Sequence, residues 1–167
     1  MPPGVGNQVN IAEVYERHLD RVFAFFAFRT GQRADAEDLA SATFERAVRH
    51  AARYDPRKGA ESTWLLAIAE NVLIDHYRRV GRRAEVSTEP DRLVGVSPAT
   101  EDDHRIGLDP AVEGALALLD DRERQIVALR FGGELRAKEI AQVTGLSDAN
   151  VHQILSRSLR RMGAHLR

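Results

Sequence analysis

The sequence predicts an all-α fold of two small helical domains joined by a flexible acidic linker, and three observations predict it. Apolar residues recur at helical spacing in two blocks, alternating strand-like runs are absent, and the segment between the blocks has no sustained period. The boundaries fall near residues 10–83 for the first domain, 84–109 for the linker and 110–167 for the second domain. With 167 residues, 43% of them apolar, the chain has the material for a core. Having no cysteine, it has no disulfide framework, thiolate cluster or cysteine nucleophile.

The first amphipathic helix runs from Ile11 to Arg29 and stops at Gly31. A second, capped by Asp35, turns Ala36, Leu39, Ala40, Phe44, Ala47, Val48 and Ala51 inward. Tyr54 to Ser62, with Pro56 and Gly59, reads as a loop. The third helix starts near Thr63 and buries Trp64, Leu65, Ile68, Ala69, Val72 and Leu73. Past the linker, Asp120 and Glu123 form an acidic capping box for a helix ending at Gly132 and Gly133. A short helix around Arg136 to Val143, a Thr144-Gly145-Leu146 turn and a longer helix capped by Ser147 then have the proportions of a helix-turn-helix.

That last helix divides into two faces. Val151, Ile154, Leu155, Ser158, Leu159 and Met162 fall at core spacing, whereas Ala149, His152, Gln153, Ser156, Arg157 and Arg160 recur on the far side. Hydrogen-bonding groups near a recognition helix's N-terminus suit base edges, and cations further along, here Arg157, Arg160 and Arg161, suit phosphates. A solvated bundle face with arginines at the negative end of a helix dipole is the plainer reading of the same stripe. In the third helix, Asn71, Asp75, Arg78, Arg79 and Arg82 form a comparable stripe beside Trp64, Tyr54 and Tyr77. It suits phosphate contacts together with base stacking, or simply a core tryptophan and a solvated helix end. Asp35, Glu37 and Asp38 complement a helix N-terminus, and Asp38, Ser41, Ala42 and Glu45 make a strip open to a basic partner helix.

The net charge of -1 conceals a distribution: residues 1–84 carry 13 basic and 11 acidic side chains, residues 85–110 carry 2 and 7, and residues 111–167 carry 9 and 7. An acidic insert thus parts two mildly basic blocks. No phosphate loop or HExxH run is found, and the six histidines are scattered, so the sequence implies no enzyme, no metal site and no cofactor. The longest apolar run, Val22 to Phe28, is too short for membrane insertion, and no export signal opens the chain. A cytoplasmic protein is expected.

Three runs carry a family resemblance: DAEDLASATFERA at Asp35 to Ala47, STWLLAIAENVLIDHYRR at Ser62 to Arg79, and LDDRERQIVALRFGGELRAKEIAQVTGLSDANVHQILSRSLRRM at Leu119 to Met162. In order and spacing they resemble the extracytoplasmic-function (ECF) sigma factors of bacterial RNA polymerase. The resemblance implies a promoter-recognition subunit with sigma region 2 in the first domain and region 4 in the second. It implies that Asp35, Asp38, Ser41 and Glu45 face the clamp helices of core polymerase. Trp64, Asn71, Asp75, Arg78, Arg79 and Arg82 would engage the minus-ten element of promoter DNA, where a base of the melted strand is flipped out. Ser147, Ala149, His152, Gln153, Ser156, Arg157, Arg160 and Arg161 would read the minus-thirty-five element, with this domain against the polymerase flap. An anti-sigma factor is a further implied partner.

Five positions depart from the family's habit. Ser41 and Ala42 replace a glutamine and a glutamate, Glu70 stands where arginine is common, and His152 and Ile154 replace basic residues, which predicts fewer phosphate contacts. The linker is long enough to bridge a promoter, since its residues extend to about 85–95 Å and two DNA turns between promoter elements need roughly 70 Å. Its acidity suits a basic channel in polymerase. Two other readings of the residues stay open at this level: a self-sufficient helix-turn-helix regulator, and a helical module that binds only protein.

Overall fold

A computed structural model describes residues 9–86 and 108–167. Among them there are helices and no strands, as the periodicity predicts. Helix α1 (Ile11–Thr30) is opened by Asn10, whose side chain accepts from the Ala12 and Glu13 amides, and closed by Gly31 at φ 68. Only glycine enters that left-handed geometry freely. Helix α2 (Arg33–His50) begins one residue later, with Gln32 in the cap position and no side-chain cap bond. Asp35 therefore lies inside the first turn and is not the N-cap: the sharp stop at Gly31 leaves only Gln32 to turn the chain, so the helix starts early. A short 3-10 turn (Ala51–Arg53) leads to the loop, and helix α3 (Glu61–Val86) starts two residues ahead of the expected Thr63.

Most predicted inward positions of these helices are buried, among them Ala36, Leu39, Ala40, Phe44, Ala47, Leu65, Ile68, Ala69, Val72 and Leu73. Val48 departs most, at 58% exposure, and Ala51 and Trp64 are half-buried. Val48 follows the core stripe in spacing but comes a turn after Phe44, the last large buried side chain of α2. Thr43 is buried instead, its hydroxyl donating to Leu39 O at 2.8 Å.

The stretch 87–107, which includes most of the predicted linker and its acidic Glu101, Asp102 and Asp103, lies outside the described residues. The second half opens with helix α4 (Pro110–Ala117), which the apolar periodicity does not mark although Asp109 caps it and Pro110 occupies its first turn. Helix α5 (Asp121–Val127) carries the expected capping box: Asp120 accepts from the Glu123 amide at 2.8 Å and Glu123 from the Asp120 amide at 3.0 Å. The helix then widens into a π turn (Ala128–Gly132), closed by the Gly133 amide donating to Ala128 O at 2.9 Å. Helices α6 (Ala137–Thr144) and α7 (Asp148–Leu166) form the helix-turn-helix around Gly145 at φ 75, and Ser147 caps α7 through the Asn150 amide.

The two halves are packed together and share one continuous apolar core, from Val22, Phe25 and Leu66 to Leu129, Leu135 and Ile140. The π turn lies on α1, and α6 lies against α3. Across the seam, Arg21 Nε donates to Glu134 Oε2 at 2.9 Å.

Candidate nucleic-acid interface

Helix α7 owes its position to an asymmetric stripe. Val151, Ile154, Leu155, Ser158 and Met162 are buried, while Ala149, His152, Gln153, Ser156, Arg157, Arg160 and Arg161 are all exposed, as is Ser147 at the cap. Leu159, expected inward, is 45% exposed because it lies between the two faces. Ile154 is seated in the core, so the family's cation has no room at that position without burying a charge.

Arg157 and Arg161 are held from beneath. Glu123, with its side chain 1% exposed, accepts from Arg157 Nε at 3.2 Å and from Arg161 Nη1 at 2.8 Å while also closing its capping box. A single buried carboxylate thus fixes the start of α5 and the two cations of α7. Both guanidiniums remain about half exposed and keep donors for phosphate oxygens. Sequence reasoning assigned Glu123 only to the cap. Its separation of 34 and 38 residues from the arginines carries no local signal. Arg160, by contrast, is exposed, with its Nε on Ser156 O of its own helix.

The other predicted cluster surrounds a cavity of about 380 Å³ lined by Arg53, Tyr54, Asp55, Lys58, Gly59, Thr63, Trp64 and Ala67, together with Gln142 and Val143 of α6. Tyr54 and Trp64 form its aromatic side, with ring centroids 5.0 Å apart. Trp64 is half-buried rather than part of the core, because its ring lies on this cavity. The Tyr54 hydroxyl donates to Gly59 O at 3.1 Å, which closes the loop, and burial followed by the nearby carboxylates of Glu61 and Asp55 raises its pKa. Asp55 accepts from the Arg57 amide and guanidinium, and the bonded guanidinium holds its carboxyl below the ordinary value. Thr63 Oγ1 is buried on this lining without a hydrogen-bond partner. That oxygen is sealed off from the open space, so Thr63 shapes the wall of the cavity without offering it a hydrogen bond.

Asn71, Arg78, Arg79 and Arg82 are exposed along α3, on a different stretch of the helix from the cavity lining. Asp75 is instead partly covered and accepts from Arg46 Nη2 of α2 at 3.0 Å. Tyr77 is 47% exposed. On α2, Asp38, Ser41 and Glu45 are exposed, Asp35 and Ala42 are half-buried, and exposed Val48 continues the strip by one turn. Glu70, the other departure, is buried against Arg29, whose Nη1 donates at 3.2 Å. Burial raises its carboxyl pKa, opposed chiefly by the Arg29 charge.

Among the described residues, no group of His, Asp and Glu side chains is arranged to hold a metal, and no helix is long and apolar enough to cross a membrane.

Comparison with known proteins places this geometry. Residues 14–83 match Sigma-70 region 2 and residues 115–163 match Sigma-70, region 4. The chain is 30% identical over 163 residues to the ECF RNA polymerase sigma factor SigM of Bacillus subtilis, covering 93% of this chain and 94% of that protein. It is also 30% identical over 154 residues to the ECF RNA polymerase sigma factor BldN of Streptomyces coelicolor, covering 88% of this chain and 56% of the longer relative. The fold is similar to that of the sigma factor RpoE from Bartonella quintana, solved in complex with the anti-sigma factor NepR, with a TM-score of 0.74, 20% identity and coverage of 94% and 96% of the two chains. The chain belongs to the ECF sigma factors of the sigma-70 family, which direct promoter-specific transcription initiation by RNA polymerase. A stand-alone regulator and a protein-only module are thereby set aside.

Proposed function

We propose that residues 10–83 dock on core polymerase and open the minus-ten element, that residues 110–167 read the minus-thirty-five element, and that residues 84–109 join them. The observation that carries this is the exposed face of α7. Its readers His152, Gln153 and Ser156 precede the cations Arg157, Arg160 and Arg161, all on a helix whose other side is core. His152, Gln153 and Ser156, with Ser147 and Ala149 at the entry, meet base edges in the major groove, and the arginines hold phosphates. Duplex melting is offset by binding: a base extruded from the strand stacks on Trp64 and Tyr54, while Asn71, Arg78, Arg79 and Arg82 track the strand backbone. Asp75, tied to Arg46, orders the start of that stripe.

Asp35, Asp38, Ser41 and Glu45 take the clamp helices, and the second domain takes the flap. The protein acts in the cytoplasm by binding alone, with no catalysis of its own and no cofactor. An anti-sigma factor covers these faces when transcription is not required, in keeping with the RpoE–NepR complex of a protein with the same fold. The test is promoter-dependent transcription with purified core polymerase on a genomic fragment library. The reading predicts discrete start sites that shift or vanish when Asn71 and Arg157 are replaced together by alanine. Start sites indifferent to both replacements would refute it.

A further inference from the structure

We propose that the cavity at Tyr54 and Trp64 is a binding site for a free adenine nucleotide, built jointly by the 53–67 segment and by Gln142 of α6. The inference rests on the role given above to the two rings as a stacking surface, and extends it to a ligand that is not part of a DNA strand.

Size and lining set the class of ligand. At about 380 Å³ the cavity falls at the small end of the roughly 300–1,000 Å³ usual for small-molecule sites, which suits a single mononucleotide. Its apolar surface comes from Tyr54, Trp64, Ala67 and Val143. The ring planes lie 46° from one another, so the two rings do not stack together and their surface is available to a third. The Tyr54 hydroxyl already donates to Gly59 O, which leaves ring surface as what this residue offers. A flat heterocycle is the group that such a wall accepts.

Charge sets the second part of the ligand. Arg53 and Lys58 line the cavity at exposed positions, and among the described residues neither side chain has a hydrogen bond or an ion pair. Asp55 is the one carboxylate on the lining, and it is engaged by Arg57, whose Nε and Nη2 donate to it at 3.1 and 3.3 Å. Two cations at the rim are therefore left to meet an anion, and a phosphate takes charge-assisted bonds from both. Any further phosphates extend into solvent.

Gln142 sets the base. Ile140 and Ala141 beside it are buried, while Gln142 is exposed on α6 with its Oε1 4.0 Å from the β-carbon position of Gly59. Its side-chain amide lines the cavity and has no hydrogen-bond partner among the described residues. A primary amide presents an acceptor and donors side by side, the pattern that pairs with the amino group and N7 of adenine. Guanine shows acceptors at both of those places, so the amide oxygen finds nothing to bond. The promoter-strand reading makes no use of Gln142, which belongs to the other half of the chain; a ligand of its own accounts for an unpartnered amide over the stacking surface.

Trp64 is the only tryptophan of the chain, so its fluorescence reports on the cavity directly. The full chain is titrated with AMP, adenosine, GMP and inorganic phosphate, and separately with a single-stranded DNA pool of random sequence. AMP should quench the emission saturably, with GMP binding about fivefold or more weakly and adenosine a few-fold more weakly because it lacks the contact with the exposed cations. Inorganic phosphate should leave the emission unchanged. Gln142→Ala, at an exposed position, should erase the preference for AMP over GMP, and the Arg53→Ala/Lys58→Ala double variant should bring AMP down to the affinity of adenosine. No saturable quenching by AMP, or quenching that neither variant alters, would overturn the nucleotide site, and equal affinity of the wild type for AMP and GMP would overturn the adenine assignment. Quenching by the DNA pool without quenching by AMP would overturn this inference and leave the stacking role of the rings standing, whereas silence towards both would locate the error in that role.

Discussion

Replacing Glu123 by alanine should be the most damaging single change in the second half, for reasons that can be counted. Its carboxylate accepts three hydrogen bonds, from the Asp120 amide and the side chains of Arg157 and Arg161. Losing its half of the capping box costs about 1 kcal/mol. The arginine bonds are each about 0.5–1 kcal/mol, since both guanidiniums are half exposed and recover water when released. The lost methylene adds about 0.8 kcal/mol. The sum is about 3–4 kcal/mol, or roughly 6–16 °C in Tm for a chain of this size. Glu123→Gln keeps the shape and one acceptor, so it should lose about half as much. Urea and thermal unfolding followed by far-UV circular dichroism measure both. In electrophoretic shifts on promoter duplex, Glu123→Ala should also weaken binding more than Arg157→Ala alone, because it frees two cations at once. A loss below about 1 kcal/mol for Glu123→Ala, or a Gln variant as unstable as the Ala variant, would refute the idea that one buried carboxylate organises α5 and α7.

Other outcomes follow from the same geometry. Thr63→Val removes a hydroxyl that is buried and has no partner in the folded chain, so stability in urea unfolding should hold or rise by up to about 1 kcal/mol, with promoter opening, read by permanganate footprinting, unchanged. Trp64→Ala should weaken open-complex formation by about 1–3 kcal/mol per stacked base in the same assay, with little effect on assembly with core polymerase. Arg160→Ala should lower the slope of log affinity against log salt by about 0.9 through one lost phosphate contact, checked by titration of promoter duplex at several salt concentrations. Glu70 has a raised pKa from burial, so its protonated form is the better fit to the fold. The stability it contributes is complete below the ordinary carboxylate pKa and is lost as pH rises through the raised value. Wild type should therefore be favoured over Glu70→Gln most strongly in acid, the difference shrinking towards neutrality and then levelling; an advantage that grows with pH in urea unfolding would contradict the assignment.

Local patterns in the sequence translate into structure with little loss. Gly31 and Gly145 mark helix ends because few other residues adopt a left-handed turn freely, and Asp120 with Glu123 announces a capping box through a spacing of three. The two faces of α7 are legible for a similar reason: a helix with one side in a core repeats that fact every third or fourth residue. Errors arise where a longer-range fact decides. Val48 fits the inward rhythm of α2 but comes a turn after its last large buried side chain, and α4 hides behind a linker-like composition despite Asp109-Pro110. The buried carboxylate under the arginines and the seam between the halves join residues dozens of positions apart. Periodicity is silent on such pairs. Reading residues 84–109 as a separator further disguises Gly132-Gly133 as a mere helix end, when the pair also touches α1 and α3.

The π turn at Ala128–Gly132 has a phasing consequence. A helix advances about 100° per residue, so the extra residue accommodated in that wide turn sets the azimuth at which everything downstream leaves α5. Deleting one residue there and restoring regular winding would swing α7 about a quarter-turn around the axis, with every side chain of its polar face still present and aimed at the wrong quadrant.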